Sequence, residues 1–84
     1  MRFTIDVTPN PEHPMQWTSH CLETDHISAG MSPEVALEAV GEAIRMVLRH
    51  EAKRYGISTS EAYVRIVAAV HARKDQPVSQ GFLP

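Results

Sequence analysis

Eighty-four residues, 43% of them hydrophobic and 21% charged, make one domain and are too apolar for intrinsic disorder. The net charge of −2 speaks against a dedicated nucleic-acid binder, and the single cysteine, Cys21, excludes a disulfide scaffold. No apolar run is long enough for a membrane-spanning helix, and the start, MRFTIDV, lacks the apolar core of a secretory signal. A reducing, cytoplasmic setting is therefore expected.

Residues 3–7, Phe3-Thr4-Ile5-Asp6-Val7, alternate apolar and polar, the two-residue period of a half-buried strand. Pro9, Pro11 and Pro14 then impose a loop. A second strand fits residues 16–22 and a third residues 26–30, joined by the turn Glu23-Thr24-Asp25. With Leu22 opposite His26, Cys21 faces Ile27 and Ser19 faces Ala29. The expected inner face is then Phe3, Ile5, Val7, Trp17, Cys21, Ile27 and Ala29. The outer face is Thr4, Asp6, Thr18, His20, Leu22, His26 and Ser28. One apolar and one polar side indicate an antiparallel sheet covered once.

The cover follows in sequence. Ser32 suits an N-cap, Pro33 the first helical position and Glu34 the positive end of the helix dipole. Leu37, Val40, Ile44, Val47 and Leu48, with Ala36 and Ala43, form one stripe of a helix over residues 33–54, and Gly56 can end it. A helix of that length, at ~1.5 Å per residue, overhangs a five-residue strand. Its second half needs another partner. Ser58 and Glu61 form a capping box, and Tyr63, Ile66, Val67 and Val70 continue a second helix over residues 59–73. The expected fold is α+β: a three-stranded antiparallel sheet, one long helix packed on one face and a second C-terminal helix (βββαα). It occupies residues 1–74, and residues 75–84 read as a loop or disordered tail.

The sequence bears on four kinds of chemistry: metal binding, catalysis, nucleic-acid binding and protein association. His20, Cys21 and His26 are zinc-type ligands within seven residues. In the strand reading, however, Cys21 points inward and both histidines outward, so His20 and His26 remain only weak metal candidates. A buried cysteine beside Trp17 is packing rather than a nucleophile, and no nucleotide-binding or hydrolase motif occurs. No catalysis and no cofactor are expected. Arg45, Arg49 and Lys53 lie at i, i+4 and i+8 and would suit RNA. Yet Glu34, Glu38 and Glu42 in the same helix's first half make the pattern a complement to the helix dipole. Protein association is better supported, because a three-stranded meander leaves two unpaired edges.

The stretch FTIDVTPNPE…QWTSHCLETDHISAGMSPEVALEAVGEAIRMVL resembles the HicB-like antitoxin domain over residues 3–48. Trp17, Ser28, Gly30, Ser32, Ala36 and Leu37 match its aromatic strand opening and S-x-G-x-[ST]-x-E-A-L pattern, with Val35 as one extra residue before Ala36, and Glu42, Ala43 and Ile44 continue it. The resemblance implies a non-enzymatic, self-associating module that binds and blocks a ribonuclease toxin. One further helix is too little for a separate DNA-binding unit, so no operator binding is expected. Asp6, Leu22, Glu23, Asp25, Arg45 and Arg49 are the candidate partner-binding residues, and a homodimer is expected. Two alternatives are a phage or mobile-element inhibitor of a host defence nuclease, anti-CRISPR-like, and an RNA-binding module using Arg45, Arg49 and Lys53.

Overall fold

The computed structural model describes residues 1–74; the expected tail, 75–84, lies outside the described residues. Three strands, β1 (Ile5–Pro9), β2 (Trp17–Cys21) and β3 (Ile27–Gly30), are followed by α1 (Pro33–Tyr55) and α2 (Thr59–Lys74). The strands form one antiparallel sheet in the order β1-β2-β3. The expected βββαα architecture is thus the observed one. Pro9 closes β1 opposite Trp17, and the proline-rich loop behind it is organised by Asn10. Its side-chain oxygen accepts from the Glu12 N–H (3.0 Å), and its amide donates to Gln16 Oε1 (3.0 Å).

The register between β2 and β3 differs from expectation by one residue. His20 pairs with Ile27, Ser19 with Ser28, Thr18 with Ala29 and Trp17 with Gly30. The turn takes four residues rather than three. The Cys21 N–H donates to the His26 carbonyl (2.9 Å), and the Asp25 N–H donates back to the Cys21 carbonyl (2.8 Å). Asp25 adopts φ 60°, a left-handed conformation that short polar residues tolerate. A one-residue slip turns over every side chain of the strand. Ile27 and Ala29, expected inside, are exposed on the outer face; His26 and Ser28, expected outside, sit partly buried on the inner one. Phe3 also departs from expectation. It precedes β1, remains exposed and meets the Tyr63 ring edge-on with centroids 5.3 Å apart.

Helix α1 lies on the inner face, chiefly over β3 and β2. Two contacts seat it. Ser19, fully buried, donates from Oγ to the Ala36 carbonyl (2.7 Å) in the first turns of α1. Gly30 lets the chain pass so close that a Cβ there would lie 2.7 Å from the Ala36 backbone nitrogen. Ser32 caps the helix by accepting the Val35 N–H (3.1 Å), and Gly56 ends it at φ 63°. Cys21, Val40, Ile44, Leu48 and Ala62 form the core, with Ile5, Ile57, Tyr63 and Ile66 packed around it. Each large aliphatic side chain there contributes about 1.5–3 kcal/mol. Leu37, expected in the stripe, is instead exposed at its margin.

The second half of α1 overhangs the sheet, and α2 supplies its cover through Ala62 and Ile66. Near its start, Tyr63 exchanges hydrogen bonds with the backbone of Arg2, ahead of β1. At its far end, Arg73 approaches Asp25 in the β2–β3 turn (3.9 Å). Helix α2 therefore crosses the end of the sheet from its β1 side to the β2–β3 turn. The result is a slab of one helical layer on one sheet, in which no described residue covers the outer face of the sheet.

Replacing Gly30 by Ala is expected to destabilise the fold by about 1–3 kcal/mol, since the neighbour in the way is backbone. Ser19→Ala is expected to cost about 1 kcal/mol. Urea unfolding checks both, and a neutral Gly30→Ala would show that α1 sits farther from β3.

Candidate functional site

The bare outer face of the sheet is built by the register. Asp6, His20 and Ile27 form one row across all three strands, and Thr8, Thr18 and Ala29 the next. Leu22 continues the face toward the turn, where its N–H donates to the Thr4 carbonyl (2.9 Å). Ile27 is 66% and Leu22 37% exposed, so two aliphatic side chains stand open to solvent among polar neighbours.

His20 lies at the centre of this face. Its Nε2 is 2.6 Å from Asp25 Oδ1. That hydrogen bond, aided by the charges of Arg73 and Lys74, holds the Asp25 carboxyl below its ordinary value against an opposing desolvation effect. Asp25 therefore ties the sheet's central strand to the end of α2. Its left-handed backbone is the same feature that sets the register.

Glu23 has a different role from the one expected of it. Its carboxylate accepts the Thr4 N–H (2.6 Å) and the Thr4 hydroxyl (2.7 Å), and Cys21 Sγ lies 3.7 Å away. The Thr4 backbone bond is the main reason its pKa is lowered; desolvation opposes the shift. Glu23 thus closes the ladder between the start of β1 and the turn, and its oxygens are already engaged.

The candidate residues do not form one cluster. Asp6, Leu22 and Asp25 border the open face, while Arg45 and Arg49 lie on α1, across the slab. Arg45 donates to Glu42 Oε2 (2.7 Å), which lowers the Glu42 pKa. Arg45 and Arg49 also help line a shallow cavity of about 230 Å³ with Met1, Leu48 and Thr59. Lys53 is exposed in the last turn of α1. A second cationic cluster was missed in the sequence: Arg54 and Arg65 both stack on Tyr55, at 5.3 and 4.2 Å from its centroid. No spacing rule connects residues on two helices, so only the fold reveals it.

His20 and His26 point to opposite faces, contrary to the shared outer face expected. Among the described residues, no three His, Cys, Asp or Glu side chains converge where they could hold a metal ion. His26 Nδ1 and Thr24 Oγ1 are buried without a hydrogen-bond partner among the described residues. Cys21 is buried beside the core. No helix among the described residues is long and apolar enough to cross a membrane. Comparison with protein-family models, curated proteins and solved structures yields no match for this chain.

A carboxylate with a depressed pKa stabilises the fold above its ordinary value and loses that contribution as pH falls through the lowered one. Glu23, ordinarily at 4.5, should therefore lower stability as the solution is acidified below that value. Glu23→Gln is expected to be less stable than the natural chain at neutral pH, with the gap closing in acid. Urea midpoints across a pH series read this, and a gap independent of pH would contradict the Thr4 clamp.

Proposed function

We propose that this chain is a non-catalytic, HicB-like protein-binding module that binds and blocks a partner protein, a small basic ribonuclease toxin being the partner it suits best. The observation that carries this reading is the uncovered outer face of the sheet. Leu22 and Ile27 offer apolar area there, with the carboxylates of Asp6 and Asp25 nearby. Apolar anchors with a charged rim are the usual anatomy of a recognition surface. The acidic rim would steer a basic partner and make association sensitive to salt.

The HicB-like pattern bears on the fold rather than on the partner. Gly30, Ser32 and Ala36 of that pattern all serve to seat α1. A chain of this kind needs them whatever it binds. The same open face would also serve an inhibitor of a host defence nuclease, and the identity of the captured protein separates the two.

Co-expression with the product of the neighbouring gene, followed by co-elution, tests the reading. Capture is expected, with nuclease activity suppressed. A double substitution, Asp6→Lys with Leu22→Glu, is expected to weaken it at least ~tenfold. Absence of co-elution, or capture unaffected by that variant, would contradict the proposal.

A further inference from the structure

Two loops meet at the end of the sheet opposite the Asp25 turn. The first is the proline-rich segment between β1 and β2, which five hydrogen bonds fix. The Asn10 N–H donates to the Gln16 carbonyl (2.9 Å), the His13 N–H to the Asn10 carbonyl (3.2 Å) and the Gln16 N–H to the His13 carbonyl (2.8 Å). The Asn10 side chain makes the other two, with Glu12 and Gln16. The second loop is the junction between β3 and α1. Trp17 pairs with Gly30 at the end of the β2–β3 ladder, so Gln16 and Met31 follow that pair on adjacent chains.

His13, Pro14, Met15, Gln16 and Met31 line one cavity of about 360 Å³ at this junction. Met15 is 73% and Met31 67% exposed, the highest values among the described large apolar side chains. Core packing therefore does not account for them. Apart from Pro14 they supply all the apolar lining, and no branched aliphatic residue takes part. The side-chain donors left open are two thioether sulfurs and one imidazole, since Asn10 already engages Gln16 Oε1 (3.0 Å). The lining holds no carboxylate for a hard cation and no thiol for zinc. Thioethers are soft, polarisable donors that select Cu(I), and imidazole suits copper as well. The lack of a His, Cys, Asp and Glu cluster among the described residues does not bear on a donor set built on methionine.

We propose that His13, Met15 and Met31 form a binding site for a soft monovalent cation, Cu(I) in a reducing setting. The hydrogen bonds of the loop hold His13 and Met15 in place, and the end of the β2–β3 ladder brings Met31 to them. A bound cation would tie the β1–β2 loop to the entry of α1, where Ser32 caps the helix beside Met31. The site lies at the far end of the hairpin from Leu22 and Asp25. It shares no residue with the surface proposed to capture a partner protein, so either reading stands or falls without the other.

Titration of the full chain with Ag(I), a redox-inert stand-in for Cu(I), tests it, read by the methionine methyl and histidine ring resonances. The Met15 and Met31 methyls and the His13 ring should shift together and saturate at one equivalent, with Met1 and Met46 unmoved. Cu(I), supplied anaerobically with ascorbate, should give the same pattern. Met15→Leu combined with Met31→Leu keeps the cavity apolar and removes both sulfurs. That variant is expected to bind Ag(I) at least ~tenfold more weakly. Both positions are exposed, and a circular dichroism spectrum matching that of the natural chain separates lost binding from lost fold. Undiminished affinity in the folded variant, or uptake by the Cys21 thiol in place of the methionines, would overturn the proposal. So would equal shifts at all four methionines, or no shift at any of them.

Discussion

The arrangement of the molecule depends on the turn between β2 and β3. Asp25, at φ 60°, lengthens that turn to four residues and puts His26 rather than Ile27 in line with Cys21. With this register, Ser28 lies opposite Ser19 and Gly30 opposite Trp17, on the side that α1 covers. The Ser19 hydroxyl then reaches the Ala36 carbonyl, and Gly30 gives way to the helix backbone. One residue fewer would present Ala29 and Ile27 to the helix instead. The close seat of α1 would be lost.

The same turn decides what the protein shows to its surroundings. It places Ile27 beside His20 on the outer face and turns the N–H groups of Ile27 and Ala29 away from β2, toward an edge that no described residue pairs with. The open face and the position of these N–H groups are thus two consequences of one local geometry. Because α1 covers one face and α2 is used up covering the overhang, nothing among the described residues shields the other face. A small chain that buries only part of its apolar surface commonly completes its burial through association.

Much of the fold is legible from side-chain periodicity and capping chemistry. Ser32, Gly56 and the Ser58–Glu61 pair mark helix ends through bonds that are local in sequence. The alternation of Ile5, Val7, Trp17 and Cys21 likewise places β1 and β2 correctly, because each strand has a polar side to contrast with the apolar one. In β3 that contrast fails. His26 and Ser28 against Ile27 and Ala29 reads naturally with the aliphatic pair inside, and only the turn conformation overrules it. Glu23 looks like a free surface acid, yet an unpaired Thr4 N–H across the turn claims it. The Tyr55 stack with Arg54 and Arg65 depends on the angle between two helices. These features arise from long-range geometry, which periodicity does not encode.

The hairpin register is therefore the most direct thing to measure. In antiparallel strands the pairs that share no ladder bonds bring their α-protons together, with Cα atoms about 4.5 Å apart. Nuclear Overhauser spectra of the full chain should show Hα–Hα contacts between His20 and Ile27 and between Thr18 and Ala29. Hα–Hα contacts from His20 to Ser28 and from Thr18 to Gly30 in their place would set Cys21 opposite Ile27 and Ser19 opposite Ala29, with the aliphatic pair inside. The account of both the open face and the free edge would then be contradicted.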